Sequence, residues 1–200
     1  WWPNTDRLPN GITGLAERIN ALGMKFGLWV ELEMVNKDSE LYRAHPDWIL
    51  HTEGRHASHG RKQYVLDFSR PEVVDYIHDS IYKVLSTAKV DYIKWDMNRS
   101  ITECGSAGWG PEHQGEIFHR YILGVYSLYE RLTHEFPNIL FESCASGGGR
   151  FDPGMFYYAP QCWTSDDSDG GERLRIQYGT SYAYPVSFLG CLLYTSPSPR

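Results

Sequence analysis

The stretch Val90-Asp91-Tyr92-Ile93-Lys94-Trp95-Asp96-Met97-Asn98-Arg99 decides the fold. Val90 to Trp95 is rich in β-branched and aromatic residues, the composition of a buried strand. It runs straight into polar and charged residues at Lys94, Asp96, Asn98 and Arg99. Side chains on a strand alternate, so Tyr92, Lys94 and Asp96 share one face and Asp91, Ile93 and Trp95 the other. An ammonium and a carboxylate thus lie together at the end of a buried strand. The ammonium favours the ionised carboxylate that a nucleophile requires. The same residues also read as a structural ion pair at a sheet edge.

Outward from this strand, the chain alternates helix and strand. Before it, Ile12 to Leu22 has helical apolar spacing and stops at Gly23. Lys25 to Glu31 reads as a strand ending in the carboxylates Glu31 and Glu33, and Ser39 to Arg43 as a short helix. Gln63 to Phe68 reads as a further strand of the same series. A helix with Pro71 at its first position then runs to about Thr87, presenting Val74, Ile77, Ile81 and Leu85 on one face. Beyond the central strand come a helix over Gln114 to Phe136, a strand over Asn138 to Glu142, a short strand over Gln161 to Thr164 and a helix over Glu172 to Tyr178.

Strands and helices in alternation indicate βα units around a parallel sheet. The polar and glycine-rich residues follow the strands, where barrel active sites lie. Five strands in 200 residues are too few for a (β/α)8 TIM barrel, which takes about 250 residues. The expected fold class is therefore α/β, an incomplete TIM barrel, with residues 1–190 as part of the catalytic barrel. An open doubly wound sheet is the alternative. Gly147-Gly148-Gly149 lacks the spacing of a phosphate-binding loop and reads as flexible backbone. Leu192 to Arg200 breaks the rhythm and resembles translated adapter sequence, so residues 191–200 read as a non-native tail.

Composition narrows the function. With 42% hydrophobic and 14% aromatic residues the chain can bury a sizeable core. A net charge of -6 without a basic run argues against nucleic acid and anionic membrane as partners. No apolar run approaches the roughly 18 residues of a membrane span, and no secretory leader opens the chain. Cys104, Cys144, Cys162 and Cys191 are scattered and form no CxxC pair, which fits a reducing compartment and hence the cytoplasm. His51, His56 and His59 lie in a polar loop with no helix to fix metal geometry and read as solvated; no metal and no cofactor is expected.

The second acidic strand end is Trp163-Thr164-Ser165-Asp166-Asp167. Paired carboxylates across a barrel mouth are what glycoside hydrolysis requires, one to attack and one to hold a proton. Like charge from Asp167 and Asp169 and an apolar wall from Trp163 would favour a protonated Asp166. The same aspartates also suit a helix N-cap ahead of Glu172, or a metal.

The segments GLAERINALGMKFGLWVELEMV, DYIKWDMNRSITE, FHRYILGVYSLYERL, NILFESCASGGGRFDPGMFYYAPQCWTSDD and ERLRIQYGTSYAYP resemble the α-galactosidases of glycoside hydrolase family 36. The resemblance covers nearly all of residues 8 to 190. It implies a retaining hydrolase that releases terminal α-galactose from melibiose- or raffinose-type oligosaccharides, with Asp96 as nucleophile and Asp166 as acid/base. It further implies Trp29, Arg61, Lys94, Trp95, Met97, Asn98 and Cys144 as substrate-binding residues. An α-galactosyl transferase, an α-N-acetylgalactosaminidase or a non-catalytic sugar-binding barrel remain alternatives. The expected partners are a small oligosaccharide and, for the full-length protein, further copies of itself.

The chain departs from the family at Leu32, where proline is usual, and at Gly170-Gly171, where Ala-Ile is usual. The family's galactose-gripping Asp-Asp-Gly-Trp strand would precede Trp1, and its flanking β-domains are not in the chain, so this chain alone is expected to be inactive.

Overall fold

The computed structural model describes residues 2–190; the expected tail at 191–200 lies outside them. Five parallel strands form one sheet: β1 (Gly27–Val30), β4 (Tyr92–Asp96), β5 (Leu140–Cys144), β6 (Gln161–Trp163) and β7 (Leu189–Gly190), neighbours in that order. Helices α1 (Gly11–Ala21), α3 (Pro71–Thr87), α4 (Ile117–Glu135), α5 (Pro153–Tyr158) and α6 (Gly170–Ser181) alternate with them. Strand order follows chain order without reversal. Right-handed crossovers that always step the same way keep their helices on one side of the sheet. A doubly wound sheet would reverse its order, so that alternative falls.

The register explains the two faces. Trp29 lies opposite Lys94, Lys94 opposite Glu142, and Asp96 opposite Cys144, so one face carries polar groups strand after strand. The other face presents Val30, Ile93, Trp95 and Phe141, all buried. The apolar stripes of α3 (Val74, Ile77, Ile81, Leu85) and α4 (Tyr121, Val125, Leu128, Tyr129, Leu132) are buried as well. Trp95 stacks on Tyr129 with ring centroids 4.1 Å apart, joining β4 to α4. Truncating a Trp so fully enclosed typically costs about 3–5 kcal/mol.

Two strand expectations need correction. The segment Gln63–Val65 is a strand, β3, but it pairs antiparallel with β2 (Met34–Asn36) in a separate two-stranded sheet. It cannot enter the parallel sheet because β1 and β4 pair directly, Gly27 with Tyr92 through Val30 with Trp95. β-propensity marks a segment as extended and says nothing of its partner. The fifth parallel strand is instead β7, two residues long and without the β-branched run that announces a strand. The excursion between β1 and α3 also carries α2 (Glu40–Ala44), whose N-cap Ser39 accepts from the Tyr42 N–H at 3.1 Å. Helix α5, not foreseen, is capped by Asp152, which accepts from the Met155 N–H at 3.1 Å, with Pro153 at its first position.

Candidate active site

Asp96 ends β4 on the polar face and is 6% exposed. Its Oδ2 accepts from Trp29 Nε1 at 3.0 Å and from Asn98 Nδ2 at 2.8 Å. Its Oδ1 is buried and has no hydrogen-bond partner. Burial alone would raise the pKa of this carboxyl. The Cys144 thiol, Asn98, Trp29 and the Ser146 backbone N–H together outweigh burial and hold it below the usual aspartate value. Burial pushes the Cys144 thiol itself up to about 12, so it stays protonated and able to donate. Asp96 is thus an ionised carboxylate oriented through Oδ2 at the end of β4, with Oδ1 enclosed beside it.

Around it lies a chain of hydrogen bonds. Asn98 Nδ2 also donates to Glu31 Oε1 at 2.8 Å, and Arg61 Nη1 donates to the same oxygen at 3.0 Å. Ser146 Oγ donates to Asn98 Oδ1 at 3.2 Å. The structure therefore brings Trp29, Arg61, Asn98 and Cys144 together about Asp96, and Trp29 remains 50% exposed as an open indole face. Met97 is buried behind them, its N–H donating to Cys144 O at 3.0 Å. Glu31 and Ser146 were not anticipated as site residues. A carboxylate at the C-terminal end of a strand was the available signal for Glu31.

Lys94 shares the face of Asp96, as alternation requires, but its salt bridge runs to Glu142 Oε1 at 3.0 Å. The physical reason is distance. Residues i and i+2 on a strand are about 6.5 Å apart, whereas a registered neighbour is about 4.8 Å away, and Glu142 is that neighbour. The Tyr92 hydroxyl donates to Glu142 Oε2 as well. The Lys94 ammonium also sits 4.3 Å from the centroid of the Trp163 ring, a cation–π contact. Trp95 is a second correction. It is fully buried on the helix-facing side, with its Nε1 donating to Glu33 Oε1 at 2.9 Å, and it cannot line a sugar pocket.

The loop after β5 is not the flexible backbone that its glycines suggested. Ala145 N–H donates to Gly147 O at 3.1 Å and Gly149 N–H to Ala145 O at 3.0 Å, closing a tight turn with Ser146 at φ 46° and Gly147 at φ 81°. A Cβ on Gly148 would stand 2.5 Å from Thr164 O, and one on Gly147 would stand 2.9 Å from Asp166 N. These glycines let the turn beside Asp96 press against the segment that carries Asp166.

Asp166 stands exposed, with Oδ1 accepting from Trp163 Nε1 at 2.9 Å. Trp163 is therefore a hydrogen-bond donor to Asp166 and not only an apolar wall. Asp169 turns away to cap α6, accepting from Gly171 N at 2.9 Å and Glu172 N at 3.0 Å, so the capping reading holds for this residue. Arg173, buried, donates to Ser165 O at 2.9 Å and Gly190 O at 2.9 Å and lies 4.6 Å from the Trp163 ring centroid.

The parallel α/β sheet thus gathers acidic and aromatic residues at its strand ends. The sequence model of the melibiase family matches residues 1–200. The chain belongs to that family, the α-galactosidase group of glycoside hydrolase family 36. It is 56% identical over 198 residues to α-galactosidase AgaA of Geobacillus stearothermophilus, covering 99% of this chain and 27% of AgaA. Against α-galactosidase 1 of Pediococcus pentosaceus it is 47% identical over 200 residues, 100% of this chain and 27% of that protein. The crystal structure of an AgaA variant in complex with raffinose superposes with a TM-score of 0.93 at 57% identity, covering 96% of this chain and 27% of that one. The chain thus spans about a quarter of the length of the relatives it matches.

Proposed function

We propose that this chain contributes the reacting carboxylates of an α-galactosidase that works with retention, within an arc of a (β/α)8 barrel. The observation that carries the proposal is Asp96: ionised, and oriented through Oδ2 by Trp29 and Asn98 at the end of a parallel strand. The sequential order of five parallel strands supports the barrel arc. Asp166 follows β6, and β6 is separated from β4 by β5 alone. The two strands are then about 10 Å apart, and side chains leaning toward each other across that gap can reach the separation of about 5–5.5 Å that retention requires.

In the first step the Asp96 carboxylate attacks the anomeric carbon and Asp166 gives its proton to the departing glycosidic oxygen. A glycosyl ester of Asp96 forms and the aglycone alcohol leaves. Asp166, now a carboxylate, takes a proton from water as that water attacks the same carbon. The ester bond breaks, galactose is released with its original configuration, and both carboxyls return to their starting states. Trp29 offers a flat apolar face to the sugar, and Arg61 and Lys94 offer donors to its hydroxyls. Raffinose-type oligosaccharides are the substrate class, by analogy with the relative that binds raffinose.

Proton NMR of galactose freshly released by the full-length protein provides the test. The α anomer should appear first and the β anomer only as mutarotation proceeds. Asp96→Ala should abolish release. First appearance of the β anomer, or turnover by Asp96→Ala, would remove the proposal.

A further inference from the structure

We propose that Glu31 is a positioning residue for this reaction, fixing the orientation of the Asn98 amide on the nucleophile and joining that amide to Arg61. The inference rests on reading Asp96 as the nucleophile. An Asn amide has one NH2 with two N–H bonds and one carbonyl oxygen. Here the NH2 serves two carboxylates at once, Asp96 Oδ2 and Glu31 Oε1, each at 2.8 Å. The carbonyl oxygen accepts from Ser146 Oγ at 3.2 Å. Turning the amide over would set its oxygen against both carboxylates and lose both bonds. With Glu31 in place the amide has a single acceptable orientation, and in that orientation it donates to Asp96.

Glu31 is buried and receives further donors from Arg61 Nη1 at 3.0 Å and Gln63 Nε2 at 3.4 Å. Arg61 belongs to a turn whose backbone is left-handed at Arg61 (φ 54°) and Lys62 (φ 64°), a conformation non-glycine residues adopt only when surrounding contacts hold it. Glu31 therefore fastens two things to the end of β1: the turn that presents Arg61, and the amide that presents Asp96. Loss of its acceptor oxygens frees the second N–H of Asn98. The donor to Asp96 is then less well directed, its carboxylate is held less firmly, and it is less often aligned for attack.

The test uses the full-length protein with p-nitrophenyl α-galactoside as probe. Glu31→Ala should lower kcat by about 100-fold, the scale of a misplaced reacting group. It also removes a carboxylate that shares the Asn98 NH2 with Asp96, so the reading is the comparison with Glu31→Gln, which removes the same charge. The acidic limb of kcat/KM should lie at higher pH in the alanine variant, where the donor to Asp96 is loosened. Glu31→Gln keeps an acceptor oxygen at the same reach and should restore most of the rate. In an Asn98→Ala background, Glu31→Ala and Glu31→Gln should give the same acidic limb, since the difference between them travels through that amide. An acidic limb equal in Glu31→Ala and Glu31→Gln, or differing equally with and without Asn98, would overturn the proposal. Glu31→Leu, which refills the volume, gives the same readings if the alanine variant fails to fold. Asp96→Ala serves as the control: turnover there removes the nucleophile reading itself, whereas an inactive Asp96→Ala with a normal Glu31→Ala removes the role of Glu31 alone.

Discussion

Lys94 and Asp96 lie two positions apart on one face, yet each is satisfied by a different neighbour. Asp96 takes its hydrogen bonds from Trp29 and Asn98, with the Cys144 thiol beside it, while Lys94 pairs with Glu142. This division makes two variants behave differently. Cys144→Ala removes the group that most favours the ionised Asp96, so the pKa of Asp96 should rise and the acidic limb of kcat/KM should move to higher pH. Lys94→Met should raise KM and lower the rate while leaving that limb in place. Part of its loss is the cost of leaving Glu142 buried without its cation, so the pH profile is the reading that separates the two roles. A limb shifted upward by Lys94→Met would show the lysine acting on Asp96 after all. At this scale the sequence was readable where alternation alone decides: which face Asp96 and Lys94 occupy. Cross-strand pairing was not readable, because the partner of Lys94 lies 48 positions away in the chain, on β5. Trp95 failed for a related reason. Adjacency to Asp96 along the strand places its side chain on the opposite face, against Tyr129.

At the scale of elements, the turn after β5 connects the two acidic strand ends. Its residues were visible as a glycine run, but the need for them lies in the approach of the segment after β6, which no local pattern encodes. Gly148→Ala would set a Cβ 2.5 Å from Thr164 O, so the turn and the Asp166 segment must separate. A displacement of this kind should cost about 100-fold in kcat/KM. Gly170→Ala is the matched comparison. Nothing lies within 4 Å of its Cβ and the residue opens α6, so activity should be kept. Equal activity in both variants would mean that the two segments move freely past each other. The ends of two longer helices were legible nearly to the residue, though α5 was missed: α3 starts at Pro71 and α1 stops ahead of Gly23, which lies at φ 75°. Apolar period and end signals are local, and they sufficed. The strands β2, β3 and β7 are short, and their assignment depends on partners supplied by tertiary structure.

For the whole molecule, the parallel sheet has two ends. Among the described residues β1 pairs only with β4, and β7 only with β6. Each end presents a row of backbone N–H and C=O groups, a template for pairing with other chains. Large apolar side chains are exposed on the last helical units, among them Tyr157 and Leu174. The relatives that this chain matches are about four times longer, since it covers 27% of AgaA. Closing a barrel removes its sheet edges and shapes a cleft in which reacting carboxyls are shielded from water. The 200-residue chain expressed alone lacks those partners for its sheet, and Asp166 then stays exposed as it is here. It should sediment as mixed oligomers and hydrolyse p-nitrophenyl α-galactoside far more slowly than the full-length protein. Adding the remaining segments in trans should narrow the gap if edge pairing is what is missing. A monomeric chain with turnover close to that of the full-length protein would show that this arc shapes a competent cleft unaided, and the requirement for a closed barrel would have to be abandoned.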